Sequence, residues 1–129
     1  ARAQQCRQGI DETEQTIPAL YHAAAGAWYG ENVLHIHDED ILNAVRYHTT
    51  GRAGMSRLEE CVYLADLISE DRTYKDVGRM RRLAFEDING AMLEAARFTL
   101  SDVIANGSFI PENSMQTYNY YTALIKQDK

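Results

Sequence analysis

The sequence of 129 residues is poor in cysteine and proline, and each shortage excludes a class of protein. Two cysteines, Cys6 and Cys61, are too few for a disulfide framework, and the lack of a Cys-x-x-Cys pair excludes a cysteine-based zinc site. Cys61 falls within an apolar helical pattern, where we expect a small core residue. This usage is typical of a reducing cytoplasm. No run approaches the roughly 18 apolar residues of a membrane span, and the first residues lack an apolar export segment. We therefore expect a cytoplasmic protein with no membrane partner.

A surplus of basic residues is also absent, because 13 Lys and Arg stand against 19 Asp and Glu, for a net charge of −6. A protein that binds along a nucleic-acid backbone is usually basic, so we expect no nucleic-acid polymer as a partner. The basic residues are nevertheless clustered within one short stretch: Arg72, Lys75, Arg79, Arg81 and Arg82. This cluster is either a solvated helix face or a local patch that binds phosphate, for which one or two well-placed arginines suffice.

The alternating pattern of a half-buried strand is missing, whereas helical periodicity is strong. The sequence predicts a single all-α domain over 1–129, built from five or six helices joined by short loops. Asp38 is a predicted N-cap, and Ser56 to Glu59 has the form of a capping box. We expect the tail of a helix over 1–8 and helices at about 19–33, 78–85, 87–105 and 113–126, with two further helices that begin after Asp38 and Ser56. The helix after Asp38 carries Ile41, Ala44, Val45 and His48 at helical spacing. The predicted apolar stripe of the helix after Ser56 is Leu58, Cys61, Val62, Ala65 and Ile68, and that of the helix at 87–105 is Ile88, Met92, Ala95, Thr99 and Val103.

Three polar residues, His22, His48 and Asp66, interrupt the apolar stripes of these helices. A buried carboxylate is costly unless it is paired, hydrogen-bonded or bound to a metal, which makes Asp66 the most informative of the three. Each has an ordinary alternative: Asp66 as a boundary residue that pairs with an arginine, His48 as a satisfied core histidine, and His22 as a partly exposed histidine. Together, two imidazoles and one carboxylate are a reasonable partial ligand set for Fe, Mn or Zn. We expect the remaining histidines, His35 and His37, in an exposed loop.

Four segments around these residues carry a specific resemblance. In chain order they read LYHAAAGA over 20–27, DILNAVRYHTTGRAGM over 40–55, YLADLISEDR over 63–72 and SMQTYN over 114–119. They closely resemble the YqeK-type branch of the HD-domain phosphohydrolases, bacterial enzymes that cleave diadenosine tetraphosphate symmetrically into two ADP. The similarity covers nearly the whole chain.

The resemblance implies an all-α HD-domain helical bundle with a metal at its centre, most often iron, with manganese as the alternative. It implies that His22, His48 and Asp66 are metal ligands or contact the phosphates, and that His48 and Asp66 take part in catalysis. It further implies that Thr49 contacts phosphate and that Arg72 clamps the phosphates of the nucleotide. A segment near the end is expected to bind the nucleotide: Ser114, Met115, Gln116, Thr117, Tyr118 and Asn119.

The adjacent His-Asp pair that gives this family its name is absent from the expected position. The only such dipeptide, His37-Asp38, lies between His22 and His48, in a loop. The resemblance places the pair on a helix upstream of His22, which would lie before Ala1. We therefore expect this chain to be the C-terminal two thirds of the domain, without its N-terminal helices and with half of the metal ligands outside it. Such a chain should bind metal weakly, expose apolar faces and tend to form a homodimer or aggregate.

The activity that the resemblance implies is metal-dependent hydrolysis of diadenosine tetraphosphate by a metal-activated water, with a dinucleoside polyphosphate or ADP as the bound partner. On this view the 129 residues alone could be inactive. Two alternatives stay open: another HD-type nucleotidase or phosphodiesterase, and a non-catalytic helical module that binds nucleotides or other proteins. Metal content separates the enzymes from the module, since only the enzymes are expected to hold iron or manganese.

Overall fold

A computed structural model describes residues 17–127, apart from the side chain of Ala19. This part of the chain forms six α-helices and no strand, which confirms the all-α prediction. The helices are α1 (Pro18–Asn32), α2 (Glu39–Arg46), α3 (Arg57–Ile68), α4 (Val77–Glu86), α5 (Ile88–Ala105) and α6 (Glu112–Gln127). The predicted ends agree closely except in α2, which ends at Arg46 and leaves His48 in a turn. The helical tail expected over 1–8 lies outside the described residues.

Local sequence signals determine where α2 and α3 begin, because the first N–H groups of a helix have no partner within it. The Asp38 carboxylate accepts hydrogen bonds from the backbone N–H groups of Asp40, at 2.9 Å, and Ile41, at 3.3 Å. At the start of α3, the Ser56 hydroxyl accepts from the N–H of Glu59 at 3.2 Å, and the Glu59 carboxylate accepts from the N–H of Ser56 at 3.3 Å. Both predicted caps are confirmed.

The main core lies among the last four helices. Each helix contacts the next one along the chain, and α3 also contacts α5. The fully buried residues Ala91, Met92 and Ala95 place one face of α5 at the centre, as its predicted apolar stripe indicated. The buried members of this cluster are Met55, Tyr63, Leu64, Met80, Ala91, Met92, Ala95 and Tyr121. None of the helices in the described part of the chain is long and apolar enough to cross a membrane.

The predicted apolar stripe of α3 is wrong for three residues, because Leu58, Cys61 and Ala65 are exposed. Cys61 is therefore a surface thiol and not a core residue. On α2, Ile41 and Val45 are exposed as well. The surface of α2 and α3 thus includes several apolar side chains. Its use in a homodimer stays a prediction.

The buried residues of α3 instead include two glutamates, Glu59 and Glu60, and the carboxylate of each has a hydrogen-bond partner. Arg52 donates from Nε to Glu59 Oε2 at 2.7 Å and from Nη2 to Glu59 Oε1 at 2.6 Å, while the Glu59 side chain is only 1% exposed. Tyr121 of α6 donates its hydroxyl to Glu60 Oε2 at 2.6 Å. Burial by itself would raise the pKa of Glu59, but the hydrogen bonds from Arg52 and Ser56 hold that pKa below its ordinary value. These bonds tie α6 and the loop before α3 to the start of α3.

Gly51 lies where that loop packs against α6. Its φ of 70° falls in the left-handed region, which favours glycine. A Cβ atom at this position would lie 2.7 Å from Thr117 Oγ1 and 2.9 Å from Thr117 Cγ2. The hydroxyl of Thr117 lies 3.0 Å from the backbone oxygen of Thr50 and can donate to it. The close approach of loop and helix therefore requires both the conformation and the small size of glycine.

We predict that Glu59→Gln makes stability less dependent on acid pH. The pKa of Glu59 is lower in the folded protein than in the unfolded chain, so its stabilising contribution is complete above about pH 5 and is lost as the pH falls through the folded pKa. The variant should lose about 3 kcal/mol at pH 7, because it breaks a buried pair. Urea unfolding between pH 7 and pH 3 should then show a smaller further loss than in the parent protein. An equal loss in both proteins would contradict this role, and Glu86→Gln, at an exposed position, is the control.

A second prediction compares two glycines with nearly the same backbone conformation. Gly54 has a φ of 71°, and nothing lies within 4 Å of a Cβ atom built on it. Gly54→Ala should therefore cost only the conformational penalty, about 1 kcal/mol, whereas Gly51→Ala adds the clash with Thr117 and should cost about 3 kcal/mol. Chemical denaturation of both variants measures the difference. Equal losses would mean that the loop can move away from α6 at little cost.

Candidate functional site

One cleft, with a volume of about 190 Å³, brings together four of the predicted site residues: His48, Thr49, Asp66 and Arg72. It lies between the turn after α2, the second half of α3, the loop that follows α3 and the second half of α5. Its remaining lining residues are Tyr63, Leu67, Phe98, Thr99 and Asp102. The structure therefore brings these four predicted residues into one cleft, although the first and the last of them lie 24 positions apart in the sequence.

Asp66 and Arg72 face each other at one side of this cleft. Arg72 Nη2 lies 3.6 Å from Asp66 Oδ1, and Arg72 Nε donates to the backbone oxygen of Asp66 at 3.0 Å. Both side chains are about half exposed, so Asp66 is not the buried carboxylate that its position in the helical stripe suggested. Pairing with an arginine, the ordinary alternative, is confirmed. A pair this exposed contributes little to stability, which leaves both groups available to a ligand.

His48 lies in the turn after α2, and one hydrogen bond orients its ring. Its Nδ1 is 2.7 Å from the backbone oxygen of Val45. Because a carbonyl oxygen can only accept, Nδ1 carries the hydrogen, and in the neutral ring the lone pair then lies on Nε2. Histidines that bind metals are commonly oriented by such a bond. This bond leaves Nε2, and not Nδ1, as the ring nitrogen that could bind a cation.

The three predicted metal ligands are only partly assembled. His22 is exposed on α1 and lines neither this cleft nor its neighbour. Across residues 17–127, no three His, Cys, Asp or Glu side chains lie close enough together to hold a metal ion. His48 and Asp66 provide an imidazole and a carboxylate, donor types that suit iron and manganese, but they form only part of a coordination shell. Among the described residues, His22, His48 and Asp66 are therefore not brought together as the predicted set of ligands.

A second cleft, of about 160 Å³, opens beside the first and shares Thr49, Thr99 and Asp102 with it. It joins apolar side chains of α1 and of the α5–α6 connection to polar groups of the Thr49 turn. The other residues around it are Ile17, Leu20, Thr50, Val103, Asn106, Ser108, Phe109, Pro111 and Ser114. The two clefts are therefore neighbours separated by the three shared residues, and Ser114 lines only the second.

The predicted nucleotide segment, residues 114–119, lies on α6 and presents its side chains in different directions, as successive residues of a helix must. Ser114 is buried and lines the second cleft. Thr117 is completely buried, and its hydroxyl lies 2.7 Å from the backbone oxygen of Asn113 and 3.0 Å from that of Thr50, in the loop before α3. Its contact with a nucleotide stays a prediction. Of the others, Met115, Gln116 and Asn119 are exposed and Tyr118 is half-buried.

Sequence patterns alone do not identify three polar residues of the first cleft, Tyr63, Thr99 and Asp102. The Tyr63 hydroxyl lies 3.3 Å from Thr99 Oγ1, and burial raises the pKa of Tyr63 although the bond to Thr99 opposes this effect. Thr99 falls within the apolar stripe predicted for α5. A hydroxyl among apolar residues is the sequence signal that could have identified Thr99 as a cleft residue. Asp102 follows it by three positions on the same helix and is exposed. Its carboxylate adds negative charge where the two clefts meet.

No family sequence model matches the chain. A protein of Bacillus subtilis named symmetrical bis(5'-nucleosyl)-tetraphosphatase is 37% identical to it over 103 residues, which are 80% of this chain and 55% of that protein. A protein of the same name from Halalkalibacterium halodurans is 39% identical over 100 residues, which are 78% of this chain and 54% of that protein. The chain thus spans about half the length of the curated relatives that it matches.

Among solved structures, the chain is similar to a protein of Clostridium acetobutylicum that is described as a predicted HD superfamily hydrolase involved in NAD metabolism. The TM-score is 0.84 and the sequence identity is 34%. The match covers 94% of this chain and 68% of the Clostridium protein. The similarity therefore extends over nearly every element that forms the two clefts.

We predict that Thr117→Val destabilises the protein by about 1–2 kcal/mol, because it removes a buried hydroxyl that lies 2.7 Å from the backbone oxygen of Asn113 and 3.0 Å from that of Thr50. Thr122 of the same helix offers a matched control. Its Oγ1 is the buried side-chain polar atom without a hydrogen-bond partner within the described residues, so Thr122→Val should be neutral or stabilising. Equilibrium unfolding in urea compares the two variants. Similar changes in the free energy of unfolding of the two variants would show that the hydrogen bonding of the Thr117 hydroxyl contributes nothing to stability.

Proposed function

This chain belongs to the HD superfamily of hydrolases, and on that premise we propose that the whole protein hydrolyses diadenosine tetraphosphate symmetrically into two ADP. The observation that carries the proposal is the placement of His48, Thr49, Asp66 and Arg72 in one cleft. The names of the Bacillus and Halalkalibacterium relatives support the choice of substrate. Since the chain spans about half of those proteins, the activity is proposed for the whole protein and not for the 129 residues alone.

Arg72 is proposed to bind the phosphate chain. Its guanidinium can offer two parallel donors to phosphate oxygens, and such charge-assisted bonds are about twice as strong as neutral ones. Arg72 Nη2 is 3.6 Å from the nearest carboxylate oxygen of Asp66, beyond a normal hydrogen bond, while Nε donates to the Asp66 backbone oxygen at 3.0 Å, so the Nη groups would give up little by binding a phosphate. The hydroxyl and backbone of Thr49, across the cleft, would contact the same phosphates.

Asp66 and His48 are proposed to act on the attacking water and to hold part of a metal site. The carboxylate of Asp66 can bind a cation and accept a proton from the water, and Nε2 of His48 can bind a cation or, when protonated, donate to a phosphate oxygen. A bound iron or manganese ion would supply a water that ionises near neutral pH and positive charge beside the phosphoryl oxygens. The role of His22 stays a prediction, since it lies outside both clefts.

The second cleft is proposed to receive a nucleoside of the substrate. Leu20, Val103 and Phe109 give it apolar surface against which a base can pack. Asp102 lies where the two clefts meet, and its carboxylate can accept hydrogen bonds from ribose hydroxyls. Two neighbouring clefts, one with charged and one with apolar lining residues, suit a ligand that is charged in its middle and aromatic at its end.

Another HD-type nucleotidase or phosphodiesterase is the second candidate, and the description of the Clostridium protein as involved in NAD metabolism favours keeping it. A non-catalytic nucleotide-binding module is the third. Product analysis separates the first two, because symmetrical cleavage yields only ADP. A module would bind ADP without turning over any substrate.

The test uses the full-length protein with diadenosine tetraphosphate, added iron or manganese, and chromatography of the products. Asp66→Asn should lower turnover by about a hundredfold and reduce bound metal, because it removes a ligand and a proton acceptor. Arg72→Ala should raise KM about tenfold while metal stays bound, as expected for the loss of a charge-assisted bond to the substrate.

Glu86→Gln and Arg82→Ala are the controls, since both positions are exposed and lie outside the cleft. Turnover of Asp66→Asn near that of the parent protein would contradict the proposal. So would products other than ADP, such as AMP with ATP.

A further inference from the structure

Helix α3 leads directly into the loop that carries Arg72, and the junction depends on side-chain donors. The last carbonyl groups of a helix have no partner within it, so something else must donate to them. Arg72 Nε donates to the backbone oxygen of Asp66 at 3.0 Å. The Tyr74 hydroxyl donates to the oxygen of Leu67 at 2.8 Å. The loop thus folds back on the end of the helix from which it comes.

Arg81 of α4 supplies the donors for the rest of this junction. Its Nε donates to the oxygen of Ile68 at 3.0 Å, and its Nη2 lies 2.8 Å from the oxygen of Ser69 and 3.2 Å from that of Arg72. A cation at the C-terminal end of a helix also interacts favourably with the helix dipole. One guanidinium therefore holds both ends of the turn that separates Asp66 from Arg72.

We propose that Arg81 is a positioning residue, which fixes the backbone of Arg72 so that the Arg72 guanidinium stays opposite Asp66. Because this role presupposes that Arg72 binds the polyphosphate, it rests on the proposed function. The basic cluster in the sequence offered two interpretations, a solvated surface or a patch that binds phosphate. Arg81 fits neither, since its half-buried guanidinium is directed to backbone oxygens.

The geometry explains why arginine is the suitable residue at position 81. The donors of a guanidinium lie in one rigid plane, and at Arg81 they reach three carbonyl oxygens of a single turn. A lysine ammonium keeps the charge but lacks this fork, so it should hold the turn less firmly. Loss of the fork would let the Arg72 side chain occupy other positions, and small misplacements of a substrate-binding group are costly to an enzyme.

A double-mutant cycle in the full-length protein tests this role. Arg81→Gln, Arg72→Ala and the double variant are compared for KM and kcat on diadenosine tetraphosphate, with thermal unfolding measured in parallel. Arg81→Gln should raise KM about tenfold with a smaller change in kcat, and it should have almost no further effect on KM once Arg72 is alanine. Arg81→Lys should fall between the parent and Arg81→Gln, and it keeps the test possible if Arg81→Gln folds poorly. Arg82→Gln, at the exposed neighbouring position, should leave KM unchanged.

The outcomes separate this inference from the proposed function. If Arg81→Gln raises KM by the same factor in both backgrounds, Arg81 acts through stability alone and its positioning role is overturned. An unchanged KM in both Arg81 variants overturns it as well. If Arg72→Ala itself leaves KM unchanged, the proposed role of Arg72 in binding substrate fails, and the role of Arg81 fails with it.

Discussion

The ion pair between Arg52 and the buried carboxylate of Glu59 constrains the loop that leads from the cleft residues His48 and Thr49 into α3. An unpartnered carboxylate at a site that is only 1% exposed would cost several kcal/mol, so the loop before α3 has to bring its guanidinium to this place. The same loop follows directly on the turn that carries His48 and Thr49. On its other side, Gly51 packs against Thr117 of α6. The turn that carries His48 and Thr49 is therefore anchored, through this loop, to the start of α3.

The supports of the site and its ligand-facing groups have opposite properties. Glu59, Thr117 and the Gly51 contact are buried and closely bonded, whereas Asp66 and Arg72 are half exposed and separated by 3.6 Å. Binding sites commonly combine such rigid support with groups that have little to lose when a ligand arrives. The proposed hydrolysis draws on this arrangement, because the substrate replaces a weak contact and leaves the strong ones intact.

Short-range signals in the sequence are sufficient to predict where most of the helices lie. The caps at Asp38 and Ser56 act over two or three residues, and the ends of most helices follow from such signals and from periodicity. The buried face of α3 could not be predicted in this way. The Glu59 carboxylate pairs with Arg52, whereas the Glu60 carboxylate accepts a hydrogen bond from the hydroxyl of Tyr121, which lies 61 positions away along the chain. The grouping of Asp66 with Arg72 came from the family resemblance, and the same resemblance did not reveal that Thr117 is buried.

The junction at the end of α3 has a further consequence for the acid–base behaviour of the site. Arginine side chains do not deprotonate in proteins, and burial raises the pKa of the Tyr74 hydroxyl that donates to Leu67. The donors that hold this turn therefore keep their protons from mildly acidic to alkaline solution. The spatial relation of Arg72 to Asp66 should stay constant over that range, so any pH profile of ligand binding would report on the ligand, on histidine and on carboxylates instead of on a moving loop.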